Sequence, residues 1–283
     1  MIILNSAISY YNTNIQMSDR CEDDISVLFD INKKIGNALE EYTIANNKGM
    51  YRDNELDAYV LQQYEDYISA YENIFMLMSK RVKRDSIKYF DFIEILPLKN
   101  MMTVAYEKDR YLVLFPLWRL HAQYFSWPVM TRDAIDFIKE KCDKQHILSV
   151  GSGTGFIESL LHRYGLNIKC TDVKLVEDAY MDIEKIDAVS AVAKYEDYDV
   201  LFCSYPAELS TYLTESLNIF KGFIFILVGH YRKITGDQTL FDLIETKFML
   251  DSEFDLPKWL YNYTPYDDGC FEISPKIFIY KRK

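Results

Sequence analysis

From His146 onward the chain alternates short apolar runs with amphipathic ones: HILSV, FIESLLHRYG, NIKCTD, VSAVAKY, DVLFCSYP, AELSTYLTESLNIF, GFIFILVGH and TLFDLIETKF. Strands separated by helical segments at this spacing cannot pair through hairpins, so each needs a crossover that leaves it parallel to the strand before. The pattern predicts an α/β fold: a Rossmann-like, mainly parallel sheet with helices on both faces. Towards the C-terminus FMLDSEFDL and EISPKIFIYKRK follow one another with no helical pattern between them, which predicts an antiparallel last strand, the pair ending the sheet.

Upstream the periodicity is helical. Leu28, Ile31, Ile35, Leu39 and Tyr42 recur at three and four, as do Val60, Tyr64, Tyr67, Tyr71, Ile74 or Phe75, and Met78. With NNKGMYRDN between the two stripes, this predicts a helical hairpin over about residues 20 to 84. The stretch KYFDFIEILPLKNMMTVAYEKDRYLVLFPLWRLHAQYF mixes strand-like alternation with runs that suit buried helix, and periodicity alone leaves it mixed. Thr131 is a candidate cap for a helix through about Lys141, with Ile135 and Phe137 among its buried residues. Two regions follow: 1–123, a helical or mixed N-terminal region, and 124–283, the α/β domain. No Gly/Ser/Pro-rich linker separates Lys99 from Thr131, so the first region is expected to dock near the carboxyl ends of the strands instead of hanging as a tethered module.

Charge narrows the function. The chain carries a net −11, so its average field repels phosphate backbones and anionic lipid. Broad direct nucleic-acid binding would need a partner, and no membrane association is expected. The densest basic run, Lys80, Arg81, Lys83 and Arg84, suits a helix C-terminus. The cysteines at 21, 142, 170, 203 and 270 form no C-x-x-C pair and have no histidine spaced for zinc, so no metal site is expected. Without a basic n-region, an apolar h-region or a long apolar span, the expected location is cytoplasmic, with the nucleus also open. The N-terminal helices are the candidate surface for a protein partner.

The chemistry concentrates in VGSGTGFIESLL. In an open α/β sheet the ligand crevice lies beyond the carboxyl ends of the strands, and Gly151 to Gly155 stand where the first strand enters its helix. The dinucleotide fingerprint G-x-G-x-x-G would need glycine at 151, 153 and 156, and position 156 is Phe. That disfavours a nicotinamide-dependent oxidoreductase.

The spacing G-x-G-x-G resembles the first motif of the class I S-adenosylmethionine-dependent methyltransferases. The resemblance implies S-adenosyl-L-methionine as cofactor, cradled by Gly151, Ser152, Gly153, Thr154 and Gly155. It also implies that Asp172, which ends IKCTD, accepts the ribose hydroxyls. In the third-strand region EKIDAVSAV it makes Asp187 the candidate for the adenine amine, a first-turn helix charge being the other reading. Glu158 could approach the cofactor's ammonium through water, although a surface helix position is the plainer reading. Ser204, ending strand four, completes the cofactor-binding set. Tyr205 and, at the end of strand five, His230 are the catalytic candidates. In amino-methylating members strand four ends in Asn or Asp before Pro-Pro and an aromatic residue; here the run is DVLFCSYPAE, without the acid or amide, which argues against methylation of a nucleobase amine. More loosely, YFSWP, CSYP, TGDQTLFDLI, LPKWL and FIYKRK resemble an uncharacterised fungal and protist methyltransferase-like branch over about residues 124 to 283, with Tyr205 before Pro206 reversing the branch's usual order. A fold of this kind that had lost turnover and serves as a binding or scaffolding protein is the rival reading.

Overall fold

The computed structural model describes residue 72 and residues 75–95, 120–208, 210–232, 235–257 and 275–283. The stripe at 28–42, most of the second stripe and the segment YLVLFPLW lie outside the described residues. The chain divides between Tyr124 and Phe125 into two units.

In the first unit residues 75–84 are helical, and after a turn α1 (Lys88–Ile95) begins. Residues 120–124 are helical again. KYFDFIEI, ambiguous in sequence, is thus a helix, and Tyr89 and Phe92, one turn apart, are both fully buried. Phe92 meets Phe75 edge to face at 5.2 Å, and the Tyr89 hydroxyl pairs with Nε2 of His121 at 2.9 Å, which satisfies both buried polar groups. The basic run occupies the last turns of the 75–84 helix, where cations complement the exposed carbonyls.

The second unit contains α2 (Arg132–Cys142), β1 (His146–Val150), α3 (Phe156–Arg163), β2 (Asn167–Asp172), β3 (Ile183–Lys185), α4 (Ala188–Lys194), β4 (Val200–Ser204), α5 (Tyr212–Ile219), β5 (Ile224–Gly229), α6 (Gln238–Lys247), β6 (Phe248–Asp255) and β7 (Lys276–Arg282). They build a seven-stranded sheet in the order β3-β2-β1-β4-β5-β7-β6. The strands β1 to β5 are parallel, as the alternation predicts. The expected antiparallel pair does end the sheet: β7 lies between β5 and β6, antiparallel to both, and β6 forms the edge. Its run Ile277 to Tyr280 is buried throughout because both flanks are paired and both faces covered, whereas β6, on the edge, shows an exposed, charged surface.

One face of the sheet packs Leu148, Val150, Leu201, Phe225 and Leu227 into a single core with Ala191 and Val192 of α4, Leu213 and Leu217 of α5, and Phe241 and Ile244 of α6. The alternate residues Ile147, Phe202, Ile226 and Ile279 are equally buried on the other face. Thr131 caps α2 as expected, its hydroxyl accepting from the Ala134 amide at 3.1 Å. Ala134, Ile135 and Ile138 carry the buried stripe of α2; Phe137, expected in the core, is only half-buried and meets Phe254 at 5.3 Å. No helix among the described residues is long and apolar enough to cross a membrane.

The strand order reverses beside β1, which has β2 on one side and β4 on the other, so the carboxyl ends of these strands bound a crevice. The crossover from α5 into β5 turns at Gly222, where an added Cβ would lie 2.5 Å from the carbonyl oxygens of both Tyr198 and Asp199. These are backbone atoms and cannot swing away. Gly222→Ala should therefore cost about 1–3 kcal/mol, read as a lower urea midpoint at unchanged m-value.

Candidate active site

The loop after β1 is sewn to β2 through one residue. The Ser152 amide donates to the Thr171 carbonyl at 3.1 Å, and the Thr171 amide returns a hydrogen bond to Ser152 Oγ at 3.2 Å. Gly151, Gly153 and Gly155 all adopt left-handed backbone, with φ of 69°, 57° and 70°. At Gly153 this matters most: a Cβ there would meet nothing within 4 Å, so the backbone of the loop is bare and open on that side. Its amide donates to Asp172 Oδ2 at 2.8 Å, while Oδ1 accepts from the Lys174 amide, also at 2.8 Å. Each carboxylate oxygen retains acceptor capacity, which suits a pair of neighbouring hydroxyls.

Phe156 stands where a dinucleotide-binding loop would have its third glycine. Its ring is buried against Phe125 at 5.1 Å and Tyr180 at 5.2 Å, and so fills the space that a glycine would leave for close helix–strand packing. Thr154 works on both sides of this cluster. Its hydroxyl donates to the Phe125 carbonyl at 2.7 Å, and its carbonyl accepts from the Tyr180 amide at 2.8 Å.

Glu158 corrects the sequence reading. It is not a surface helix residue but 3% exposed, beneath the glycine loop on the first turn of α3. Ser149 Oγ donates to its carboxyl at 2.5 Å, and Ser152 Oγ donates to Ser149 Oγ at 3.0 Å. Burial pushes this carboxyl from 4.5 up to about 7; the Ser149 hydrogen bond opposes the rise and the nearby Asp172 charge adds to it.

Asp187 caps α4, its Oδ1 accepting from the Ser190 amide at 2.9 Å, and that amide holds the carboxylate below its ordinary range. Asp187 stands at the cap itself, one residue before the first turn in which the sequence reading places a helix charge. The adjoining Ile186 amide donates to the Asp172 carbonyl at 3.0 Å, which ties the start of α4 to the end of β2. Ser204 ends β4, half-buried. Tyr205 follows in left-handed backbone, φ 52°, its amide bonded to the Val228 carbonyl at 2.8 Å. Its hydroxyl lies 3.1 Å from Nε2 of the buried His230. The catalytic candidates are thus brought together. Thr235 pins the His230 backbone from both ends, accepting from its amide at 2.5 Å and donating to its carbonyl at 2.7 Å. The sequence reading missed Trp127, whose indole is stacked on Tyr205 with 17° between planes and 6.5 Å between centroids; nothing in the spacing of YFSWP signals that contact.

No family profile and no curated protein sequence matches this chain. Among solved structures it is similar to magnesium protoporphyrin IX methyltransferase from Synechocystis PCC 6803 with bound SAM, at 12% identity and a TM-score of 0.40, over 53% of this chain and 77% of that one. The 1,6-didemethyltoxoflavin-N1-methyltransferase of Burkholderia thailandensis matches at 10% identity and a TM-score of 0.39, over 54% and 77%. A protein of the NADB-Rossmann superfamily from Streptococcus agalactiae matches at 12% and 0.39, over 55% and 70%. At these scores the fold rests on the strand order and the site on its own residues.

The buried acid has a thermodynamic signature. A carboxyl whose folded pKa is raised lends stability that is full below about pH 4.5 and is lost as pH climbs through about 7. Glu158→Gln keeps a hydrogen-bonding partner for Ser149 and cannot ionise. Across that window wild type should lose on the order of 3 kcal/mol relative to the variant, with the difference level again above about pH 8. Paired urea melts at a series of pH values check this.

Proposed function

We propose that the chain is an S-adenosylmethionine-dependent methyltransferase. The observation that carries the reading is the open glycine loop held against Asp172: Gly153 presents bare, open backbone while its amide fixes the carboxylate beside it. The residues fit the cofactor. The loop Gly151 to Gly155 admits a ligand against backbone, Asp172 offers acceptors to two ribose hydroxyls, and Asp187 is the candidate for the adenine amine. The phenylalanine at 156 favours this ligand over a nicotinamide dinucleotide.

When bound, S-adenosylmethionine supplies a methyl group whose carbon–sulfur bonding electrons stay with sulfur as the acceptor's lone pair forms the new bond. The chain's own part is positioning and proton handling. Ser204 and Tyr205, at the end of β4, border the place where the acceptor must sit. Tyr205 takes the acceptor's proton on its phenolic oxygen while passing its own to Nε2 of His230, so that the charge ends on the imidazole. Thr235 holds the His230 backbone in the geometry this requires.

Two variants test the cofactor site. Asp172→Ala should weaken S-adenosylmethionine binding by about 1–3 kcal/mol through loss of a charged acceptor. Gly153→Val should abolish binding in a protein that still folds, because a branched side chain resists left-handed backbone and occupies the open face. Thermal shift with and without S-adenosylmethionine reads both. Unchanged ligand stabilisation in the folded variants would show that the loop is only a turn.

A further inference from the structure

Resting on the methyltransferase reading, we infer that Trp127 and Tyr205 form the acceptor platform of this site, and that the acceptor is a small flat aromatic or heteroaromatic ring carrying a hydroxyl or N–H group. Trp127 is 47% exposed, an unusual position for the largest apolar side chain, yet it is not on a loose surface loop. Phe125 before it and Pro128 and Val129 after it are buried. Thr154 binds the Phe125 carbonyl at 2.7 Å, and Ser126 Oγ closes the turn onto the Pro128 carbonyl at 2.7 Å. The glycine loop thus holds the segment that presents the indole.

Its partner is equally fixed. Tyr205 is a non-glycine residue in left-handed backbone, a conformation that persists only where the surroundings over-determine it and that concentrates at functional sites. Here the Val228 carbonyl and the His230 imidazole do so, and the imidazole meets the phenol ring edge-on at 88°. The result is a stacked indole–phenol pair at the carboxyl end of β4, with a hydrogen-bonding, proton-accepting edge supplied by the Tyr205 hydroxyl and His230. Flat π faces recognise flat rings, and the polar edge addresses one O–H or N–H on the ring's rim. The net charge of −11 disfavours a ring delivered on a polynucleotide and favours a free small molecule.

Ligand-observed NMR on the full chain with S-adenosylhomocysteine tests this. The probes are 2-naphthol and 6-hydroxyquinoline, against the saturated decahydro-2-naphthol and a short single-stranded oligonucleotide. The flat probes should bind and the saturated alcohol should not. Trp127→Ala should weaken the flat probes roughly tenfold or more, and Trp127→Phe should restore most of the affinity, since stacking on an aromatic side chain is of that size. Because Trp127 is half exposed, the alanine variant is expected to fold, and its melting curve verifies that. Equal binding of the saturated alcohol, failure of both flat probes to bind wild type, or flat-probe affinity unchanged in Trp127→Ala would overturn the inference. So would displacement of the rings by the oligonucleotide, which would assign the platform to nucleic acid. Failure of S-adenosylhomocysteine itself to bind by calorimetry would sink the methyltransferase reading, and the acceptor assignment with it, whatever the rings do.

Discussion

The hydrogen bond from the Gly153 amide to the Asp172 carboxylate joins the two elements on which the site depends. One is a loop that must leave β1 in left-handed backbone; the other is an acid that must stand at the end of β2. Neither is held by its own element alone. Ser152 ties the loop to Thr171, one residue before Asp172, so the loop and the acid form a single rigid corner at the point where the strand order reverses. The rest of the crevice is arranged from that corner. Ile186 and Asp187 follow from the Asp172 carbonyl, the aromatic cluster from Thr154, and the Trp127 segment from the Phe125 carbonyl.

The same corner explains why an ionisable group is buried there. Ser149, next to last in β1, reaches down to Glu158 with its hydroxyl, so the polar floor beneath the loop is assembled from a strand hydroxyl and a helix carboxyl. A carboxyl so deeply removed from water is raised to about 7, so it changes charge near neutrality, and it stands close to the Asp172 charge. The floor is therefore a titrating one.

Much of this was legible in the sequence. The alternation from His146 required a parallel sheet, and the helices and strands it names follow in that order, with β3 added directly after β2 without a helix between them. Gly151, Gly153, Gly155 and Asp172 could be placed because their spacing reports a strand end, a turn and the next strand end, all local geometry. What stayed out of reach was long-range. The position of β7 inside the sheet depends on which edge of β5 is open, which no local pattern encodes, although the four-residue apolar run at 277–280 is what a strand paired on both sides needs. Glu158 looked like a solvated helix residue because its charge hides the fact that its position on α3 faces the loop. KYFDFIEI was ambiguous since eight residues rich in aromatics satisfy both periods. The Trp127–Tyr205 stack joins residues far apart in the chain, and only the fold brings them together.

The central claim is that the corner formed by Gly153 and Asp172 is a cofactor site with one kind of occupant. Isothermal titration of the full chain with S-adenosylmethionine, and separately with NADH, tests it most directly. The account predicts a saturable, one-to-one heat with S-adenosylmethionine and none with NADH. Saturable binding of NADH, or no heat from S-adenosylmethionine at a protein concentration where the fold is intact, would contradict it.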